Sequence, residues 1–131
     1  VSFAHVAGVT PTYQNDLGEF ETRLYLYQHL NDADAASRAA SGWNGDWYIT
    51  FNTARGPAIA WASVWQNPAM AADFYNSMQL VASAREPARY GRAEQVTTGE
   101  VDGRPVVLLV DTPAAVAPPV AIANVRLGKP R

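Results

Sequence analysis

The sequence predicts an α+β fold: a small, mainly antiparallel four-stranded sheet with helices packed on one face, and an extended C-terminal arm. Three observations lead there. An alanine-rich helical stretch is followed by two runs with the alternation of half-buried strands, at Trp47–Phe51 and Ala58–Trp65. A second helix is followed by two more strand-like runs joined at Asp102-Gly103, a favoured hairpin turn because both positions tolerate positive φ. The tail from residue 112 to 131 is too rich in proline for a helix and too apolar for a solvated linker. The expected division is a lead-in over 1–14, an α+β domain over 15–111 and the arm over 112–131.

Taken in order, VSFAHVAGVTPTY lacks a clear period and reads as extended chain ending in a Thr-Pro turn. Asp16 with Glu19 three residues on resembles a capping box and predicts a helix start. Leu17, Phe20, Leu24 and Tyr27 follow at helical spacing, and Leu26 and Leu30 widen the stripe. That helix is apolar over more than one face, so it is expected to lie between its own sheet and something else. ADAASRAAS suits a short, closely packed helix. In the second strand Ala58, Ala60 and Ala62 alternate with Ile59, Trp61 and Trp65; the alanine face would let a helix approach closely. Asn67-Pro68 starts the next helix, with an acceptor at the cap and proline at the first position, and Pro87 ends it. The run VVLLV marks a central strand covered on both faces. The order is therefore one helix and then two α-β-β units.

With 131 residues, a hydrophobic share of 48% and a net charge of −2, the chain has the composition of one globular domain. It lacks the basic stripe that nucleic acid would require, so no nucleic-acid partner is expected. The absence of cysteine removes disulfides, thiolate nucleophiles and Cys-ligated metals together. No transmembrane span is expected, because the densest apolar run is far shorter than the roughly 20 residues a spanning helix needs. Proximity to a membrane surface is compatible with the composition. A start at Val1 fits a mature exported chain or a processed fragment.

Chemistry is sparse. His5 and His29 lack a metal-binding spacing, so no metal or other cofactor is expected; His29 reads as a polar residue near a helix end where the dipole favours a cation. No serine stands in a nucleophile elbow, and the acidic residues read as caps and turns, so the chain is expected not to be an enzyme. The aromatic set is richer. Trp43, Trp47, Trp61 and Trp65 fall close together with Tyr48, as a tryptophan-rich core or as rings for a glycan or a protein partner. Residues 42–47, GWNGDW, read as a helix stop and strand entry. Gly42 would take the left-handed position after the helix, Trp43 would seal its end, Asn44-Gly45 would turn, and Asp46 would bond backbone N–H groups.

LGEFETRLYL, AASGWNGDWYITF, AIAWASVWQNP, AADFY and RPVVLLV, from Leu17 to Val110, together resemble the C-terminal region of exported metallopeptidase-like proteins with a Gly-Trp-x-Gly-Asp turn. Asn44, Trp47 and Gln66-Asn67 depart from that pattern, and the HExxH helix is absent from this sequence. The resemblance implies a non-catalytic, extracytoplasmic module (periplasmic or at the cell surface), retained as an accessory subunit. Three functions follow as expectations. The first is docking to protein partners in a larger assembly. The second is binding of a small ligand or glycan by the tryptophans, and the third is a hydrolase fragment that needs a companion chain. The candidate contact residues are Trp47, Tyr48, Trp61, Trp65, Leu26, Leu30, Pro118, Pro119 and Arg126, with Lys129 and Arg131 extending the cationic end of the arm.

Overall fold

A computed structural model describes residues 1–128. The main sheet has five antiparallel strands rather than four: β2 (Pro11–Asn15), β3 (Trp43–Thr53), β4 (Gly56–Trp65), β5 (Arg92–Val101) and β6 (Arg104–Pro113), in the order β2-β3-β4-β6-β5. The additional strand comes from the lead-in. PTYQN is wholly exposed and starts with proline, so it carries no inward-facing alternation, yet as an edge strand it needs partners on one side only. A further two-stranded ladder joins β1 (Ser2–Phe3) to β7 (Val125–Arg126).

Three helices cover one face: α1 (Glu19–Leu30), α2 (Ala33–Ala40) and α3 (Pro68–Arg85). The units α2-β3-β4 and α3-β5-β6 follow α1 in the expected order. Asn67 caps α3 by accepting the Met70 N–H at 2.9 Å, with Pro68 in the first turn. Asp102 and Gly103 take φ of 51° and 76° in the β5–β6 hairpin. Strand β6, carrying the apolar run, lies between β4 and β5 and is buried along both faces.

The two faces are filled in the opposite sense to the one expected from the alanines. Trp61 and Trp65 lie under the helices, where Phe74 stacks on Trp65 at 4.4 Å and meets Trp61 edge-on at 5.8 Å. The alanine face, with Ile49, Phe51, Val64, Val106, Leu108 and Val110, is covered by the two ends of the chain. Bulky indoles need the depth of a helix layer, whereas a shallow alanine row accepts a single layer of extended chain. Val9, Val120 and Val125 are buried there, and the Ala4 N–H bonds the Asn124 carbonyl at 2.7 Å. The arm thus lies along its own sheet as far as the described residues run. Lead-in and arm are both part of the packed structure.

Helix α1 does not begin at an Asp16 capping box. Gly18, at φ 88°, occupies the cap position without a side-chain bond. The entry to the helix is held instead from strand β3: Asp46 accepts the Leu17 N–H at 2.7 Å and the Gly18 N–H at 2.9 Å. Inside GWNGDW the chain makes a bulge between Trp43 and Asp46, with Gly45 at φ 121°. Gly42 is not left-handed; the position requires glycine because a Cβ would collide with Met70 at the start of α3.

Candidate functional site

The helix face holds a cleft of about 270 Å³ between α1, the end of α3 and the sheet. Its floor follows from strand register. Tyr48, Trp61 and Leu109 stand opposite one another on β3, β4 and β6, and Ile59 pairs with Asp111 two residues along. Period-two alternation puts both rows on the same face, so the floor runs from aromatic and aliphatic carbon to a carboxylate. Leu17 and Tyr25 close it from the side of α1.

The polar end is a network of four charges. Asp111 is paired in register with Glu94 of edge strand β5. Arg85, the last residue of α3, donates from Nη1 to Glu94 Oε1 at 2.9 Å and to the Tyr25 hydroxyl at 3.1 Å. Its Nη2 stands 4.0 Å from Asp111 Oδ2, beyond hydrogen-bond reach. Arg92 donates from Nε to Asp111 Oδ1 at 2.7 Å and from Nη2 to the Pro57 carbonyl at 2.8 Å. The Glu94 side chain is only 1% exposed, and its Oε2 has no hydrogen-bond partner. Burial pushes the Glu94 carboxyl above its ordinary value; Arg85 opposes that and Asp111 adds to it. Burial also raises the Tyr25 phenol, against the pull of Arg85. Arg85 and Asp111 also border a second cleft of about 270 Å³, formed with Pro87, Tyr90 and Arg92.

Asp46 fixes the wall to the floor. Besides holding the entry to α1, its Oδ2 accepts the Trp61 indole N–H at 2.9 Å, and the residue is 3% exposed. The bulge at Gly45 places this carboxylate on the helix face, where the start of α1 and the Trp61 ring converge on it.

Of the expected contact residues, the structure brings only Tyr48 and Trp61 into the cleft. Trp47 lies on the opposite face, half-buried, and donates its indole N–H to Gln14 at 3.2 Å. Leu26 and Trp65 are buried in the core beneath the helices, so neither offers a surface. Leu30 is half-buried against that core. In the arm Pro118 is exposed and Pro119 half-buried, and Arg126 bonds the Ala123 and Val125 carbonyls at 2.7 and 3.0 Å. Lys129 and Arg131 lie outside the described residues. The large apolar residues exposed on α1 are instead Phe20, Leu24 and Tyr27, by 57%, 36% and 45%, among the exposed Glu19, Glu21, Arg23 and Gln28.

His29 lies in the last turn of α1, as expected of a polar residue near a helix end. Its ring meets Tyr25 at 4.7 Å, and burial, with the Arg85 guanidinium, lowers its pKa. Among the described residues, no group of three His, Cys, Asp or Glu side chains is placed to hold a metal, and no helix is long and apolar enough to cross a membrane.

Arg85, Glu94, Asp111, Ile59 and Leu109 were not expected in a site. A signal for two of them is present in the sequence. Asp111 continues the inward alternation of Val107 and Leu109, and Glu94 does the same for Val96, so each puts a charge on a face that should be apolar.

The model of the family described as Domain of unknown function (DUF8575) matches residues 8–119, and the chain belongs to that family. No curated protein and no solved structure matches it.

Proposed function

We propose that this chain, as a member of that family, is a binding module that takes a small amphipathic molecule into the cleft between α1 and the sheet. One observation carries the reading: a floor of Tyr48, Trp61, Ile59 and Leu109 that ends at Arg85 and Asp111. Apolar walls with a few converging polar groups are the usual make-up of a ligand site. The volume of about 270 Å³, just below the usual range for such sites, suits only a small ligand. Each carboxylate at the polar end has one oxygen committed to a guanidinium, which favours binding over acid–base turnover. The test is ligand-observed NMR with a library of small amphipaths on the wild type and on Ile59→Trp, which fills the floor. Binding that the substitution abolishes is expected. A wild type that takes no member of the library, or binding that Ile59→Trp leaves intact, would sink the reading.

A second reading, docking onto a protein partner in a larger assembly, is supported by the exposed row of Phe20, Leu24 and Tyr27. Its surface is the outer face of α1 and not the arm, which is committed to its own sheet. An extracytoplasmic setting goes with this reading on the sequence resemblance alone. Chemical cross-linking in the source cell tests it: a partner lost when Leu24 and Tyr27 are both changed to Ser supports docking, and a partner retained removes this surface.

A further inference from the structure

The polar end of the cleft has properties that narrow the class of ligand, granting the reading that the cleft binds one. Its charges cancel, two guanidiniums (Arg85 and Arg92) against two carboxylates (Glu94 and Asp111), joined by bonds of 2.7–2.9 Å. A charged headgroup entering this end meets no uncompensated partner and loses its own hydration. The hydrogen-bonding capacity, however, is not used up. Arg85 lines the cleft; its Nη1 is occupied by Glu94 and Tyr25, while its Nη2 stands 4.0 Å from Asp111 Oδ2 with neither atom bonded to the other. Tyr25 accepts from Arg85, so its own hydroxyl proton remains available. Asp111 has the Glu94 carboxyl beside it; its Oδ1 is taken by Arg92, and its Oδ2 accepts no bond from either guanidinium. A ligand at this end thus meets donors on one side and a carboxylate oxygen on the other, within a neutral cluster.

We infer that the cleft selects an uncharged headgroup that both accepts and donates, a primary carboxamide above all, carried on a short alkyl or aryl chain. The carbonyl oxygen accepts from Arg85 Nη2 and the Tyr25 hydroxyl, and the amide N–H donates to Asp111 Oδ2. The chain lies over Leu109, Trp61 and Tyr48. A carboxylate supplies the acceptor but faces Asp111 with a like charge. An ammonium supplies the donor but faces Arg85. A primary alcohol has one proton to give and can meet both sides, with fewer bonds.

The experiment is a titration at about pH 8, where carboxylates are ionised, with four compounds sharing one six-carbon chain: carboxamide, alcohol, carboxylate and ammonium. The carboxamide is expected to bind at least tenfold more tightly than either ion, with the alcohol between. A carboxylate or ammonium that equals the carboxamide overturns the inference while leaving the binding site standing. If none of the four binds but other amphipaths do, the headgroup assignment fails alone; if nothing binds, the site itself falls and the inference with it. Glu94→Gln provides an independent check, since it turns the neutral cluster into a net cation at nearly the same shape. The ratio of carboxylate to carboxamide affinity should then rise about tenfold, and an unchanged ratio in the folded variant refutes charge balance as the selecting principle. The wild-type series decides the matter even where that variant does not fold.

Discussion

The carboxylate of Asp46 accepts the indole N–H of Trp61 at 2.9 Å while it holds the entry to α1 through the backbone N–H groups of Leu17 and Gly18. One buried side chain therefore sets both the wall and the floor of the cleft. Three donors converge on it, two from the backbone and one from a ring, and charge-assisted bonds of this kind are stronger than neutral ones.

Asp46→Ala should destabilise the chain by about 2–4 kcal/mol in urea unfolding, because one buried and two half-buried donors lose their acceptor. Asp46→Asn should cost less, about 1–3 kcal/mol, since one side-chain oxygen is retained. Hydrogen exchange at Leu17 and Gly18 should speed up in both. Unchanged exchange there would show that the entry to α1 is not held from β3.

Gly42→Ala should cost about 1–3 kcal/mol by driving a methyl group into Met70. Met70→Ala in the same chain should recover part of that loss, since Sδ and Cγ are among the atoms struck. Strictly additive effects in the double-mutant cycle would contradict this packing.

The raised pKa of Glu94 has a defined sign in stability. Below the ordinary value of 4.5 the group is protonated both folded and unfolded. Just above it the folded chain holds the proton longer, so rising pH removes stability through that window. Glu94→Gln cannot ionise. Its melting temperature relative to wild type should therefore move upward between about pH 4 and pH 7. A difference that stays flat or moves downward would show that Arg85 outweighs burial.

A chain ending at Pro113 should fail to fold cooperatively, because Phe51, Val106, Leu108 and Val110 would lose Val120 and Val125 from their cover. Circular dichroism and size-exclusion chromatography read this directly. A cooperative monomer would show that the arm is dispensable.

Much of the frame was legible in the residues: the Asn67-Pro68 helix start, the Asp102-Gly103 hairpin and the central strand of VVLLV all rest on local rules. The strand at Pro11–Asn15 was not, because an exposed edge needs no apolar alternation and takes its register from Tyr48–Phe51 of its neighbour. A capping box at Asp16 and Glu19 follows from a local rule, whereas the carboxylate that holds the start of α1 is almost thirty residues away. Tyr48 and Trp61 stood out as aromatic residues. Arg85, Glu94 and Asp111 become a site only once β5 and β6 are in register and the end of α3 is laid over them.

The pairing of Ser2 and Phe3 with Arg126 and Val125 has a consequence for how the molecule is made. During vectorial synthesis the first of these residues leave the ribosome long before their partners exist. The hairpins β3–β4 and β5–β6 can form meanwhile, but the face bearing Phe51 and Leu108 lacks this part of its cover until Val120 and Val125 have emerged. That interval, with an apolar sheet open to collisions, is when a nascent chain of this topology most depends on chaperones.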